Sequence, residues 1–193
     1  FHRLEPPGTV MEPGGVGRLR GNADAKATPV SAYDADAGAV LDWLSEQASV
    51  DGQQLASFGF CLGGHLALRA ALDQRVKAAV CCYPTGLQDG VLGADRADTL
   101  ERLNQIQAAV FTVFGSLDPH VPPEALQQVL AAFQASGINH SSRLFEADHT
   151  FMRDDGLRWD PQAADEAWLA AMRFLVDQLS GNSRLVSSSA STS

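Results

Sequence analysis

Phe58-Gly59-Phe60-Cys61-Leu62-Gly63-Gly64-His65 is the stretch whose reading decides the fold. Residues 55–60 before the cysteine read as a short buried strand. Residues 62–72 after it (LGGHLALRAAL) read as a helix with almost no polar face. A single residue, Cys61, joins the two, with Gly59 and Gly63 two positions to either side. This is a G-x-nucleophile-x-G elbow with cysteine in the serine position. A strand turning directly into a helix forces its hinge residue into strained backbone. Side chains two residues away are expected to collide with the neighbouring segment. The turn also sets Cys61 at a helix N-terminus, where unpaired N–H groups and the helix dipole favour a thiolate. The plainer alternative is a buried structural cysteine beside a tight turn, because free cysteine is among the most buried residue types.

Outward from this turn the chain alternates strands and helices. On the N-terminal side, residues 1–30 are rich in Gly and Pro and read as a long loop closing over a site. Asp34 is placed to cap a helix with Ala37, Val40, Leu41 and Leu44 on one face. On the C-terminal side, residues 77–83 (KAAVCCY), 109–114 (AVFTVF) and 142–145 read as further strands, and 97–106 as a weaker helix. Pro122-Pro123 open a helix with stripe Leu126, Val129, Leu130 and Phe133, closed by Gly137. Asp160-Pro161 cap a last helix with stripe Trp168, Ala171, Met172, Leu175 and Leu179. Strands alternating with helices imply right-handed crossovers and a parallel sheet in one α/β domain over residues 1–180. Residues 181–193 are Ser-rich and read as a disordered tail.

Composition narrows the function classes. The 193 residues are 45% hydrophobic and 19% charged, an ordinary globular balance. A net charge of −9 disfavours non-specific binding to nucleic acid or an anionic membrane, and no apolar run reaches the ~20 residues of a membrane-spanning helix. Three cysteines, at 61, 81 and 82, are too few and too badly spaced for a disulfide framework, and no Cys/His spacing suits zinc. No metal or cofactor is therefore expected. A reducing, cytoplasmic setting is the default expectation, and Asn139-His140-Ser141 would be a glycosylation site only in a secreted chain. The sequence starts at Phe1 without a signal-peptide pattern.

In an open parallel sheet, sites collect at the carboxyl ends of strands. Cys61 falls at one such end, Asp118 at another (GSLDPH, 115–120) and His149 at a third, four residues after Phe145. The order nucleophile, acid, histidine is that of α/β-hydrolases. The chemistry needs this set: a thiol of pKa about 8.5 is mostly protonated at neutral pH, an imidazole can take its proton, and a carboxylate fixes the imidazole tautomer. His120 competes with His149 as the base. Asp148 competes with Asp118 as the acid, although side chains adjacent in sequence rarely face each other.

The chain resembles the dienelactone hydrolase (carboxymethylenebutenolidase) family in residues 59–64 (GFCLGG), 80–87 (VCCYPTGL), 115–122 (GSLDPHVP) and 149–153 (HTFMR), the likeness covering about residues 1–180. The resemblance implies an α/β-hydrolase-type three-layer sandwich with a mostly parallel sheet. It implies Cys61 as nucleophile, His149 as base, Asp118 as orienting acid and the Leu62 N–H as an oxyanion donor. Arg153, four residues after the histidine, matches a substrate-carboxylate arginine of the family, and Arg3 matches a second more weakly. Cys82 stands at an aromatic position of the family's site wall. The family's sheet has about eight strands, the first of which precede the region that Phe1 matches. The sheet is therefore expected to lack its first strands, a glutamate that holds the resting cysteine protonated, and the loop donating a second oxyanion N–H. The strand at 55–60 would then be an exposed edge, and residues 1–193 alone poorly soluble or partly folded. The implied function is cysteine-dependent hydrolysis of a small, anionic lactone or ester, by a monomer or small homo-oligomer. The alternative is a non-catalytic relative that binds ligands or senses redox state through Cys61.

Overall fold

The computed structural model describes residues 3–12 and 14–180; the Ser-rich tail, Phe1 and His2 lie outside the described residues. Four parallel strands form one sheet in the order β1-β2-β3-β4, where β1 is Leu55–Phe60, β2 Val76–Cys82, β3 Ala109–Gly115 and β4 His140–Phe145. Strands that neighbour in sequence neighbour in the sheet, so each connection is a crossover over one face.

The sheet is buried on both faces at its centre. Along β2, Ala79 and Cys81 enter one core while Val80 and Cys82 enter the other; along β3, Val110 and Phe114 alternate with Phe111 and Val113 in the same way. The first core is closed by α2 (Val30–Glu46), α3 (Leu62–Ala70) and α4 (Pro123–Ser136), with Leu41, Leu68, Val129 and Phe133. The second is closed by α5 (Pro161–Leu179). The result is a three-layer α/β sandwich: the alternation implies its parallel sheet, and the family resemblance implies its three layers.

Local signals explain most element ends. Asp160 caps α5, its side chain accepting the Ala163 N–H at 3.0 Å, with Pro161 in the first turn. Gly137 ends α4 in the left-handed conformation, φ 70°. Other readings need correction. Residues 15–27 are not loop: Gly15–Ala27 form a helix, α1, none of whose residues is buried. Because no core stripe is required of it, α1 has no apolar periodicity to read. Asp34 caps nothing; α2 starts at Val30, and Asp34 instead receives Arg69 of α3. The weak helix at 97–106 is a short 3₁₀ helix, Leu100–Gln105. On α5 the buried stripe is Ala163, Ala164, Ala167 and Ala171, whereas Trp168 and Met172 are exposed; small residues let the helix approach the sheet closely.

Among the described residues β1 and β4 are the sheet edges. Phe58 and Phe60 of β1 are capped by Trp168, whose indole stacks on Phe58 with ring centroids 5.3 Å apart. Phe60, Trp168 and Met172 stay partly in solvent on this side.

The β1-to-α3 turn is closer than its pattern suggests, and asymmetrically so. A Cβ at Gly59 would be driven into the carbonyl of Gly63, and one at Gly64 would lie 2.9 Å from the Cys82 oxygen. At Gly63 itself a Cβ meets nothing. The steric demand thus falls on Gly59 and Gly64, not on the second glycine of the pattern. Gly59→Ala is expected to cost about 3 kcal/mol or more, and Gly63→Ala to be neutral or stabilising by up to ~1 kcal/mol. Chemical denaturation of the two variants checks the contrast.

Candidate active site

The turn puts Cys61 in a conformation rare for a side-chain-bearing residue, φ 55° and ψ −122°. Among the described residues two other non-glycine residues share positive φ, Tyr83 (37°) and Thr150 (62°). All three sit at the carboxyl rim of the sheet, the second just after β2 and the third beside His149. Strain of about 1–3 kcal/mol per residue persists only where packing overdetermines it, and such residues cluster at functional sites.

The structure brings Cys61, His149 and Asp118 into one hydrogen-bonded chain. His149 Nε2 lies 3.1 Å from Cys61 Sγ, and His149 Nδ1 lies 2.6 Å from Asp118 Oδ2. A carboxylate can only accept, so Nδ1 carries the hydrogen on that side. Asp118 and His149 are 3% and 4% exposed, whereas the cysteine is half-buried and open to a cavity. The other Asp118 oxygen accepts the His120 backbone N–H at 2.8 Å. The two rivals fall elsewhere. Asp148 accepts the His149 backbone N–H and faces Arg158. His120 packs its exposed ring against His149, centroids 4.5 Å apart, without reaching the cysteine through any hydrogen bond of its side chain among the described residues.

Electrostatics favour a thiolate–imidazolium pair. Burial pushes the Cys61 thiol up, but the hydrogen bond and charge of His149, the Leu62 N–H and the Thr85 hydroxyl together bring it below its ordinary value. Burial pulls His149 down, yet its bonds to Asp118 and Cys61 outweigh this and raise it to about 9. Burial alone acts on Cys82, pushed up to about 12, and burial with its neighbour's charge pushes Cys81 up further still. Three cysteines thus have three environments, and only Cys61 is activated.

A cavity of about 930 Å³ opens over the sulfur. Its inner wall is Cys61, Leu62, Thr85 and Arg153; its outer wall is the 5–12 segment and α1, with Glu5, Met11, Glu12 and Arg18. Arg153 stands on this wall with its guanidinium on Asp155. Arg3, expected at the same substrate group, is instead ion-paired with Asp36 of α2 and does not line the cavity. The chain meets the cavity only from Glu5 onward, and α1 supplies Arg18 to the wall. Sequence reasoning missed Arg18 because α1 has no apolar period. It also missed Thr85 and Tyr83, whose ring edge packs on His149 at 5.2 Å, although both lie in a strand-end segment of the kind that builds sites. Among the described residues no cluster of His, Cys, Asp and Glu could hold a metal, and no helix is long and apolar enough to cross a membrane.

The profile of the Dienelactone hydrolase family matches residues 21–179. This chain belongs to the dienelactone hydrolase family. A Saccharomyces cerevisiae protein provisionally named a carboxymethylenebutenolidase is 34% identical over 140 residues, covering 70% of this chain and 51% of its own length. The carboxymethylenebutenolidase of Pseudomonas sp. strain P51 is 29% identical over 141 residues, covering 73% and 55%. The chain therefore spans about half the length of the curated relatives it matches. A crystal structure from Klebsiella pneumoniae, provisionally described as a dienelactone hydrolase, superposes with TM-score 0.68 at 23% identity, over 74% of this chain and 60% of that one; at this identity it supports the α/β-hydrolase fold.

The Asp118 bond is one of the two that hold the His149 proton. His149 is therefore expected to titrate near 9 in the wild type, and nearer the ordinary histidine value of about 6.5 in Asp118→Asn, by NMR of the labelled imidazole. Because the folded value lies above the unfolded one, this group's stabilising contribution is complete below about pH 6.5 and is lost as pH rises through about 9.

Proposed function

We propose that this chain carries the hydrolytic centre of a dienelactone hydrolase-like enzyme, acting on a small, anionic lactone or ester through Cys61, His149 and Asp118. The observation that carries the reading is the continuous chain from Asp118 through His149 to a sulfur that faces a cavity at the start of α3. The Cys61 thiolate attacks the acyl carbon, and the Leu62 N–H, free of any intrahelical partner at this helix end, stabilises the developing oxyanion. The C–O bond breaks, and imidazolium His149 gives its proton to the leaving enolate or alkoxide. Water then loses a proton to His149 Nε2 and attacks the thioester, which releases the acid and restores the thiolate. Asp118 keeps the imidazole in the tautomer and orientation that both transfers need.

The reading extends to charge recognition. Arg18 and Arg153 line the cavity beside Glu5, which is paired with Arg20, and Glu12; the two guanidiniums are the wall groups that can pair with a substrate carboxylate, Arg153 by exchanging its bond to Asp155. No metal or cofactor enters the scheme.

Two expected outcomes test it. His149→Ala should lose activated-ester hydrolysis by orders of magnitude while His120→Ala loses far less, as measured by kcat/KM; equal losses would contradict the assignment. Arg153→Ala and Arg18→Ala should each lower kcat/KM for a carboxylate-bearing lactone by about 1.5–3 kcal/mol and barely affect a neutral ester, with Arg3→Ala silent on both.

A further inference from the structure

A buried polar chain lies behind the nucleophile, and hydrolysis as written above makes no use of it. His65, on the first turn of α3, is fully buried. Its Nδ1 is 3.0 Å from the Thr85 carbonyl and its Nε2 is 2.7 Å from Thr99 Oγ1. Burial first, and the nearby Arg69 charge, bring His65 down to about 4, so the ring is neutral at working pH. A carbonyl only accepts, so Nδ1 carries the one ring hydrogen and donates it to Thr85. Nε2 must then accept from the Thr99 hydroxyl, which in turn accepts from the Arg69 guanidinium at 3.0 Å. Arg69 is fixed by Asp34 and Asp98. Every direction in this chain is determined, and its outcome is a clamp on one residue. Thr85 gives its backbone N–H to the Cys61 carbonyl at 3.4 Å and receives His65 on its own carbonyl. So held, its hydroxyl lies 3.9 Å from Cys61 Sγ, within reach of a hydrogen bond to sulfur, and lines the same cavity.

We propose that the Thr85 hydroxyl is a catalytic hydrogen-bond donor to the Cys61 thiolate, a proposal that rests on Cys61 being the nucleophile. A thiolate can only accept, so the hydroxyl is the donor. The proton that leaves sulfur goes to His149 Nε2, and no bond to Thr85 forms or breaks. Sulfur is then held from two sides by side chains, the His149 ring at 3.1 Å and the Thr85 hydroxyl at 3.9 Å. The contribution falls on forming the thiolate, because the charge leaves sulfur as soon as the acyl carbon is attacked.

Other groups that set the thiolate's pH dependence are His149 with Asp118 behind it, Tyr83 beside the imidazole, and Arg153, Arg18, Glu5 and Glu12 on the cavity wall. Thr85→Val changes none of these charges. It keeps the side-chain shape and the backbone clamp and removes the donor alone.

The test is the pH profile of iodoacetamide alkylation at Cys61, mapped by peptide, in the wild type, Thr85→Val, Thr85→Ala and Thr85→Ser. Thiolate absorbance at 240 nm is followed alongside; Cys81 and Cys82 are silent below about pH 10. In Thr85→Val the profile should move to higher pH, with the rate near pH 6 falling about tenfold and the plateau at high pH unchanged, the size of effect a hydrogen bond to a charged group gives. Thr85→Ala should follow Val, and Thr85→Ser should return to the wild-type profile. Thermal unfolding identifies any variant lost to misfolding, and Ala then serves in place of Val. Val and Ala profiles that superpose on the wild type would overturn the proposal while leaving the nucleophile in place. A wild-type Cys61 no more reactive near pH 6 than an ordinary free thiol would overturn both.

Discussion

Everything at this site depends on the approach of Gly59 to Gly63. The last residues of β1 run against the first turn of α3 with no room for a side chain at Gly59, so one residue must accomplish the reversal from strand to helix. Cys61 is that residue, and its positive φ follows from the closeness of the two segments. The same compression turns its sulfur toward the cavity, while Leu62 and Gly63, as at any helix start, have N–H groups with no intrahelical partner and Gly64 and His65 bond the Cys61 carbonyl. Strain and exposure of the sulfur are thus one geometric event. The packing of α3 on β1 and β2 holds the event in place: Leu68 and Ala71 in the core below, Gly64 against the Cys82 carbonyl above.

Around this hinge two polar chains meet at one sulfur, and they differ in charge. The Asp118–His149 chain is ionic and raises the proton affinity of the imidazole that faces the thiol. The Arg69–Thr99–His65–Thr85 chain keeps its charges on Arg69, Asp34 and Asp98 and presents only neutral groups toward the cysteine. A low-dielectric interior makes an unpaired polar group costly, so a chain of this length, hydrogen-bonded at every link, fixes geometry more than it adds stability. Pushing both reactive groups in opposite directions separates Cys61 from Cys81 and Cys82, which share its chemistry but not its neighbours.

Much of this was legible from residue types alone, for reasons that particular residues show. The elbow, the Pro122-Pro123 helix start, the caps at Gly137 and Asp160, and the strand-end positions of Cys61, Asp118 and His149 are local or depend on one topological rule, so the sequence carries them directly. The α1 helix left no signal because a helix with no buried residue needs no apolar stripe. Asp34 looked like a cap because caps and salt-bridge partners use the same side chain; only the tertiary position of Arg69 distinguishes them. Trp168 and Met172 looked like core for the same kind of reason: size marks apolarity, but the close face of α5 demanded alanine. Arg3 matched by order along the chain, whereas the cavity wall is set by where α1 turns, which puts Arg18 there.

In the proposed reaction the acyl group passes through Cys61. Intact-protein mass spectrometry of the wild type, mixed rapidly with an activated ester and quenched in acid, detects that intermediate. The expected result is a transient adduct of one acyl mass that maps to the Cys61 peptide and is absent from Cys61→Ala. Ester turnover with no adduct on Cys61, or turnover retained by Cys61→Ala, would contradict it.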